Sequence, residues 1–191
     1  MTGSHSPEDV PSVSEVVAAF HAALEEGPSL EASGVLGLLL ALHRNNLSQW
    51  QREDATRVPD ADDAAVAAAK RDIDALNATR HGLVEAIDAA LDDLVDQNPS
   101  ASPATESPAM VFDRLSVITI RIHFTERAAL AGSADRDVYA ARSPLLREHL
   151  DVVQRAMEAL FDDVRRGRRR FVPYQSLKLY GSPVTADEAP S

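Results

Sequence analysis

The strongest constraint on the fold is the spacing of apolar residues between Asp62 and Gln97. Val66, Ile73, Leu76, Leu83, Ile87, Leu91 and Leu94 recur at helical intervals, so this stretch is expected as one long amphipathic helix. The stretch before it has a similar pattern. "VLGLLLAL" opens a helix expected from about Ser33 to Arg57, which Val58-Pro59 stops because a residue before proline disfavours helical geometry. "PDADD" between them is a tight turn with Asp60 or Asp62 as N-cap. So short a turn predicts that the two helices form an antiparallel hairpin.

Three more helices are expected around that hairpin. The first starts at Ser12, with Glu15 three residues on as a capping box requires, and ends at Gly27-Pro28. Val13, Val16, Val17, Phe20 and Leu24 form its apolar face. "NPSASPATESPA" at 98–109 is a loop joining two helical halves, and a helix follows over about Ala109 to Ala131. Its segment "LSVITIRIHF" is rich in β-branched residues, but no partner strand is visible elsewhere, so it is read as a buried helix. The last helix is expected to start at Ser143-Pro144, a cap followed by proline at the first helical position. Leu146, Leu150, Val153, Met157, Leu160 and Val164 form its stripe, and Gly167 marks its end. "FVPYQSLKLY" is expected to dock on the bundle. The resulting fold class is all-α: about five helices built on a long antiparallel hairpin. One domain is expected over 12–181, with flexible tails at 1–11 and 182–191.

Composition narrows the function classes. Alanine and leucine dominate and aromatics are only 5%, which favours helices. The net charge of -11 repels nucleic acid and anionic membrane. The chain has no cysteine, which excludes disulfides, thiol catalysis and Cys-type metal sites. "MTGSHSPEDV" lacks the basic and apolar regions of a signal peptide, so a cytoplasmic location is expected. There is no nucleophile elbow, Walker loop or dinucleotide-binding glycine pattern. "RRGRRR" could contact phosphate or nucleic acid. Five arginines at a helix C-terminus also favour the macrodipole and balance an acidic domain, and that reading is preferred. His123 is read as a packed histidine.

The candidate chemistry lies in two polar stripes. His43, Asn46, Trp50, Glu53 and Arg57 share one face of the second helix. Lys70, Asp74, Asn77, His81, Glu85 and Asp88 follow similar spacing on the third. The hairpin register brings Glu53 near Lys70, Asn46 near Asp74 and Asn77, and His43 near Asn77 and His81. The two stripes are therefore expected to form one interhelical polar layer, although solvated ion pairs on a helix edge give the same pattern. His81, Glu85 and Asp88 could ligate a divalent metal, and Glu85-x-x-Asp88 resembles the second acidic motif of the α-helical nucleoside triphosphate pyrophosphohydrolases. Their first motif, Glu-x-x-Glu, is missing. No metal site is assigned and no cofactor is identified. In "ESPAMVFDRLS", Asp113 and Arg114 lie between Phe112 and Leu115, so an interhelical partner or the far wall of a pocket is expected.

Four segments in order, "NNLSQWQREDATR", "KRDIDALNATRHGLVEAID", "ESPAMVFDRLSVITIRI" and "YQSLKLYGSP", resemble the motifs of an uncharacterised bacterial family, domain of unknown function 4254. The resemblance covers roughly residues 40 to 183. It implies a mostly helical protein, with members often encoded near glycosyltransferases and other surface-polysaccharide genes. The family pattern emphasises Trp50, Glu53, Asp54, Arg57, Lys70, Asp74, Asn77, Arg80, Glu85, Asp88, Glu106, Pro108, Asp113 and Arg114. This chain departs from it at Gln51, His81 and Ala109, where histidine, asparagine and glycine are common.

The expected function is a small-molecule-binding biosynthetic protein, an enzyme candidate acting on a polar, sugar- or phosphate-containing ligand in a surface-polysaccharide or secondary-metabolite pathway. Glu53, Asp54 and Asp88 are the acid/base candidates. Arg57, Lys70, Arg80 and Arg114 would hold anionic groups, Trp50 would supply a stacking wall, and Asn46, Asp74, Asn77, Glu85 and Asp113 would complete the ligand contacts. The alternatives are a non-catalytic helical scaffold that dimerises with itself and a magnesium-dependent nucleotide hydrolase.

Overall fold

The computed structural model describes residues 10–26, 32–55, 63–131 and 135–176. Five helices carry the fold: α1 Val13–Glu26, α2 Gly34–Ala55, α3 Asp63–Leu94, α4 Pro108–Leu130 and α5 Arg136–Arg165. This is the expected all-α bundle. Two residues of the α3–α4 loop, β1 Ser102–Pro103, pair in parallel with β2 Arg169–Arg170 just after α5. That pairing is too short to leave a period in the sequence.

Helix ends follow local chemistry. At α1 the Glu15 N–H donates to Ser12 Oγ at 3.2 Å and the Ser12 N–H donates to Glu15 Oε2 at 2.9 Å, the reciprocal capping box. At the end of α5, Gly167 has φ of +66°; its N–H reaches the Val164 carbonyl and the Arg168 N–H the Asp163 carbonyl, both at 2.8 Å. This is the Schellman arrangement, and a side chain at Gly167 would strain it. Gly37 serves a different need. A Cβ there would lie 2.4 Å from the Ala32 carbonyl oxygen, so only glycine lets the chain before α2 pass this close.

The start of α5 corrects the sequence expectation. The helix begins at Arg136, and Pro144 lies inside it. Proline removes one helical N–H. Contacts with α4 hold the region: Ser143 Oγ and Arg147 Nε each donate to Glu126 Oε1 at 2.7 Å. Burial pushes the Glu126 carboxyl up, but the hydrogen bonds from Ser143 and Arg147 outweigh it and hold the group below its usual range. The β-branched segment is helical within α4, and its Ile118, Ile120 and Ile122 are buried.

The core is shared by all five helices. Phe20 of α1, Leu39, Leu40 and Leu42 of α2, Ile87 and Leu91 of α3, Phe112 and Leu115 of α4, and Met157 and Phe161 of α5 are all but inaccessible. The long α3 stripe is only partly core. Val84, Ile87 and Leu91 are buried, but Val66 is 40% exposed, because the first half of α3 extends along α2 beyond the rest of the bundle core. No helix among the described residues is long and apolar enough to cross a membrane.

The segment after α5 docks as expected. Phe171 is buried, and residues 171–176 run back along α3. The Phe171 N–H donates to Gln97 Oε1 at 2.7 Å, the Tyr174 N–H to Asp88 Oδ2 at 2.9 Å, and the Ser176 N–H to Glu85 Oε1. An extended strand has no partner for its N–H groups on a helix surface, so side-chain acceptors supply them.

Candidate functional site

The polar stripe of α2 exists, but it faces α4 more than α3. Asn45 and Arg52, seven residues apart, are the groups that meet α3. Asn45 Nδ2 donates to the Leu76 carbonyl at 3.1 Å, and Arg52 Nε lies 3.5 Å from Asp72. The hairpin register is therefore close to the expected one. A shift of one residue turns a side chain about 100° around a helix, which carries Asn46, Trp50 and Glu53 round to α4. The layer expected between Asn46 and Asp74 or Asn77 does not form. Lys70 and Asp74 are exposed, Asn77 is half-buried, and none of the three lines the site. Arg57 lies outside the described residues.

What forms instead is a buried hydrogen-bonded chain across three helices. Arg80 of α3 grips Asp113 of α4 through two nitrogens, with Nε 2.9 Å from Oδ1 and Nη2 on Oδ2. Asn46 Nδ2 donates to the same Oδ1 at 2.8 Å and to Ser116 Oγ at 3.1 Å. Ser116 Oγ lies 2.8 Å from His43 Nδ1, and the His43 ring stacks on Phe20 with centroids 4.5 Å apart. Ser116 Oγ accepts from Asn46, and which of Ser116 Oγ and His43 Nδ1 donates to the other is set by the ring tautomer. Nε2 is buried and has no hydrogen-bond partner among the described residues. Burial lowers the His43 pKa to about 4, the charge of nearby His21 adds to this, and the Phe20 carbonyl opposes it. The ring is neutral at physiological pH. His43 thus turns towards α1 and α4, away from Asn77 and His81. The hydrogen bonds that Arg80 donates to Asp113 hold it above its ordinary pKa against the cost of burial.

This chain supports one wall of a cavity of about 260 Å³ lined by Asn46, Gln49, Trp50, Glu53, Arg80, Val117, Ile120 and Arg121. Four of the expected ligand contacts and acid/base groups meet here: Asn46, Trp50, Glu53 and Arg80. Gln49 Nε2 donates to Glu53 Oε1 at 3.1 Å. The Trp50 ring stacks on Phe124 with centroids 5.7 Å apart and planes within 6°. Its indole N–H is shielded from solvent and has no acceptor among the described residues. On the other side of Trp50 a larger cleft, about 780 Å³, runs between α4 and α5, with Asp54, Arg121, Tyr139, Arg142 and His149 among its lining. Trp50 and Arg121 border both spaces. The small cavity gathers guanidinium and amide groups and one carboxylate beside Trp50, a surface suited to a ligand rich in hydrogen-bond acceptors.

The remaining expected residues lie elsewhere. Asp88 was expected as an acid/base group, but it is fully buried, and its oxygens accept the Ala109 N–H at 2.8 Å and the Tyr174 N–H at 2.9 Å. Burial raises its pKa; the Ser107 hydroxyl beside it and the two backbone N–H groups oppose that shift. It fastens the start of α4 and the C-terminal segment to α3. Glu85 holds the same segment, so Glu85-x-x-Asp88 serves backbone amides. Among the described residues no three His, Asp or Glu side chains converge as a metal site would need. Arg114, next to Asp113 in sequence, points from another face of α4 towards α5 and pairs with Glu106. Sequence reasoning missed Ser116, Gln49 and Arg121: a serine in "RLSVITIRI" and an arginine on the same helix carry no period of their own.

No curated protein and no solved structure matches the chain. A family model described as "Protein of unknown function (DUF4254)" matches residues 37–172, a span that contains the whole Arg80–Asp113–Asn46–Ser116–His43 chain and the Trp50 cavity, and the protein belongs to that family.

Proposed function

We propose that this protein binds a polar small molecule carrying sugar hydroxyls or phosphate at the Trp50 cavity, as a biosynthetic enzyme with Glu53 as its acid/base group. The observation that carries this reading is the meeting of Arg80, Arg121 and Glu53 with Trp50 in one cavity. Guanidinium donors beside an aromatic wall suit phosphate and sugar oxygens. Arg80 is fixed by Asp113 before any ligand arrives, so little ordering entropy remains to be lost. At about 260 Å³ the cavity holds a small ligand, or one end of a larger one that passes over Trp50 into the 780 Å³ cleft. The setting we propose, a surface-polysaccharide or secondary-metabolite pathway, rests on what the family resemblance implies. The magnesium-dependent hydrolase reading loses support because Glu85 and Asp88 are engaged by backbone N–H groups.

Thermal-shift titration with sugar phosphates and nucleotide sugars, with and without magnesium, tests the proposal. A saturable shift independent of metal, lost in Arg121→Ala, is expected. Glu53→Gln should keep binding and lose turnover. A panel with no shift, or a shift unchanged in Arg121→Ala, refutes the cavity as the site.

A further inference from the structure

Helix α5 carries an apolar stripe that stays exposed, with Leu145 at the edge of the larger cleft and Val152 and Ala159 at the edge of a further cavity against α4. Val138, Leu145 and Val152 are 47%, 65% and 50% exposed, and Ala159 continues them, also exposed. The interval is seven residues each time. Seven-residue spacing keeps the stripe on one side of the helix, about a quarter to a third of a turn from the buried Val153, Met157 and Val164. It runs for 21 residues, about 32 Å at 1.5 Å per residue. Such a stripe is the signature of a seam with another helix, not of scattered surface apolar residues.

The charges beside the stripe select the partner. Ala141, Glu148, Arg155 and Asp162 flank it on one side, and Arg142, His149, Ala156 and Asp163 on the other. If a second α5 lies antiparallel with Val152 at the two-fold axis, Leu145 meets Ala159 of the second copy. Glu148 then faces Arg155 on one flank, and Arg142 faces Asp163 on the other. Each pairing occurs twice by symmetry. Among the described residues neither Glu148 nor Arg142 has an ion-pair partner within its own chain, while Arg155 also pairs with Asp151 and Asp163 with Arg168, so the seam would share those two charges. A parallel pair would instead set Asp162 of one copy beside Asp163 of the other, a like-charge contact.

We infer that α5 is a self-association surface and that two copies of this chain pair antiparallel about Val152. The seam also bears on the larger cleft, because Tyr139, Arg142, Leu145 and His149 of α5 line it. In the antiparallel register the C-terminal turns of the second copy's α5 pass along that open edge. The seam stands on the exposed stripe and its charges, without the ligand reading, so either can fail alone.

The test uses the chain's lack of cysteine. Val152→Cys, placed at the axis, is expected to cross-link to a covalent dimer on mild oxidation. Leu145→Cys lies about 21 Å from its own counterpart in this register and is expected to stay uncross-linked. Sedimentation of the unmodified chain should show a reversible dimer, and Val152→Glu should raise its dissociation constant about a hundredfold by placing two like charges on the axis. Glu148→Arg and Arg155→Glu should each weaken the dimer, and the double variant should restore it. A monomer at every concentration overturns the inference, and equal cross-linking through Val152→Cys and Leu145→Cys overturns the antiparallel register. Circular dichroism on each variant shows whether the fold is intact, and the restored double variant is unaffected by a folding defect in either single one.

Discussion

Breaking the Arg80–Asp113 pair tests how the cavity wall is held. The Asp113 side chain is 5% exposed and that of Arg80 32%. The two losses should therefore differ. Arg80→Ala leaves a buried carboxylate with only the Asn46 amide as donor, and losing one partner of a buried pair costs about 3–5 kcal/mol. Asp113→Ala leaves a guanidinium that can turn towards solvent, so about 2–3 kcal/mol is expected after that screening. The double variant should cost less than the two losses combined, by about 2 kcal/mol, because it leaves no orphaned charge. Urea unfolding of all four proteins, with unchanged m-values, gives the cycle directly. A coupling below about 0.5 kcal/mol would falsify the view that Asp113 fixes Arg80 in the wall.

Three further outcomes follow from the same geometry. His43 has a folded pKa of about 4 against an ordinary 6.5. The unfolded chain therefore takes up a proton first: stability is complete above pH 6.5 and falls as the pH drops towards 4, by at most about 3 kcal/mol; the same pH series on His43→Gln should lose that slope, and parallel slopes would contradict a neutral buried ring. Asp88→Ala removes the acceptor for two backbone N–H groups and should cost roughly 2–4 kcal/mol, with amide exchange rising at Tyr174 and Ala109 and not in α2; exchange unchanged at those two amides would show that Asp88 does not hold the segment. Glu106→Ala breaks only the exposed pair with Arg114 and should change stability by less than about 1 kcal/mol, and a larger loss by denaturation would mean that this pair supports the fold.

Much of the fold was legible because apolar spacing is a local property with a strong period. The α2–α3 hairpin, the capping box at Ser12, the Gly167 stop and the helical reading of "LSVITIRIHF" each rest on residues within one or two turns of each other. The start of α5 was misread because Ser143-Pro144 has the chemistry of a helix start. The α4 contacts through Glu126 that favour helix through Pro144 are 17 and 21 residues away in sequence. The site was legible in membership more than in geometry. Asn46, Trp50, Glu53 and Arg80 do meet, but which neighbour a helix face meets depends on a rotation of one residue, and sequence spacing does not fix that against three other helices. Asp88 looked chemical for the same reason that it is structural. A buried carboxylate in an apolar stripe needs donors, and here the backbone of two other segments provides them.

The central claim is that a polar ligand binds in the cavity beside Trp50. Trp50 is the single tryptophan of the chain, so its indole N–H gives one isolated signal in a nitrogen–proton correlation spectrum. Titration with the sugar phosphate or nucleotide sugar that gives the largest thermal shift is expected to move that signal saturably, as the ligand changes the surroundings of the ring, with no such movement in Arg121→Ala. A ligand that binds by calorimetry while the indole signal stays in place would contradict the account.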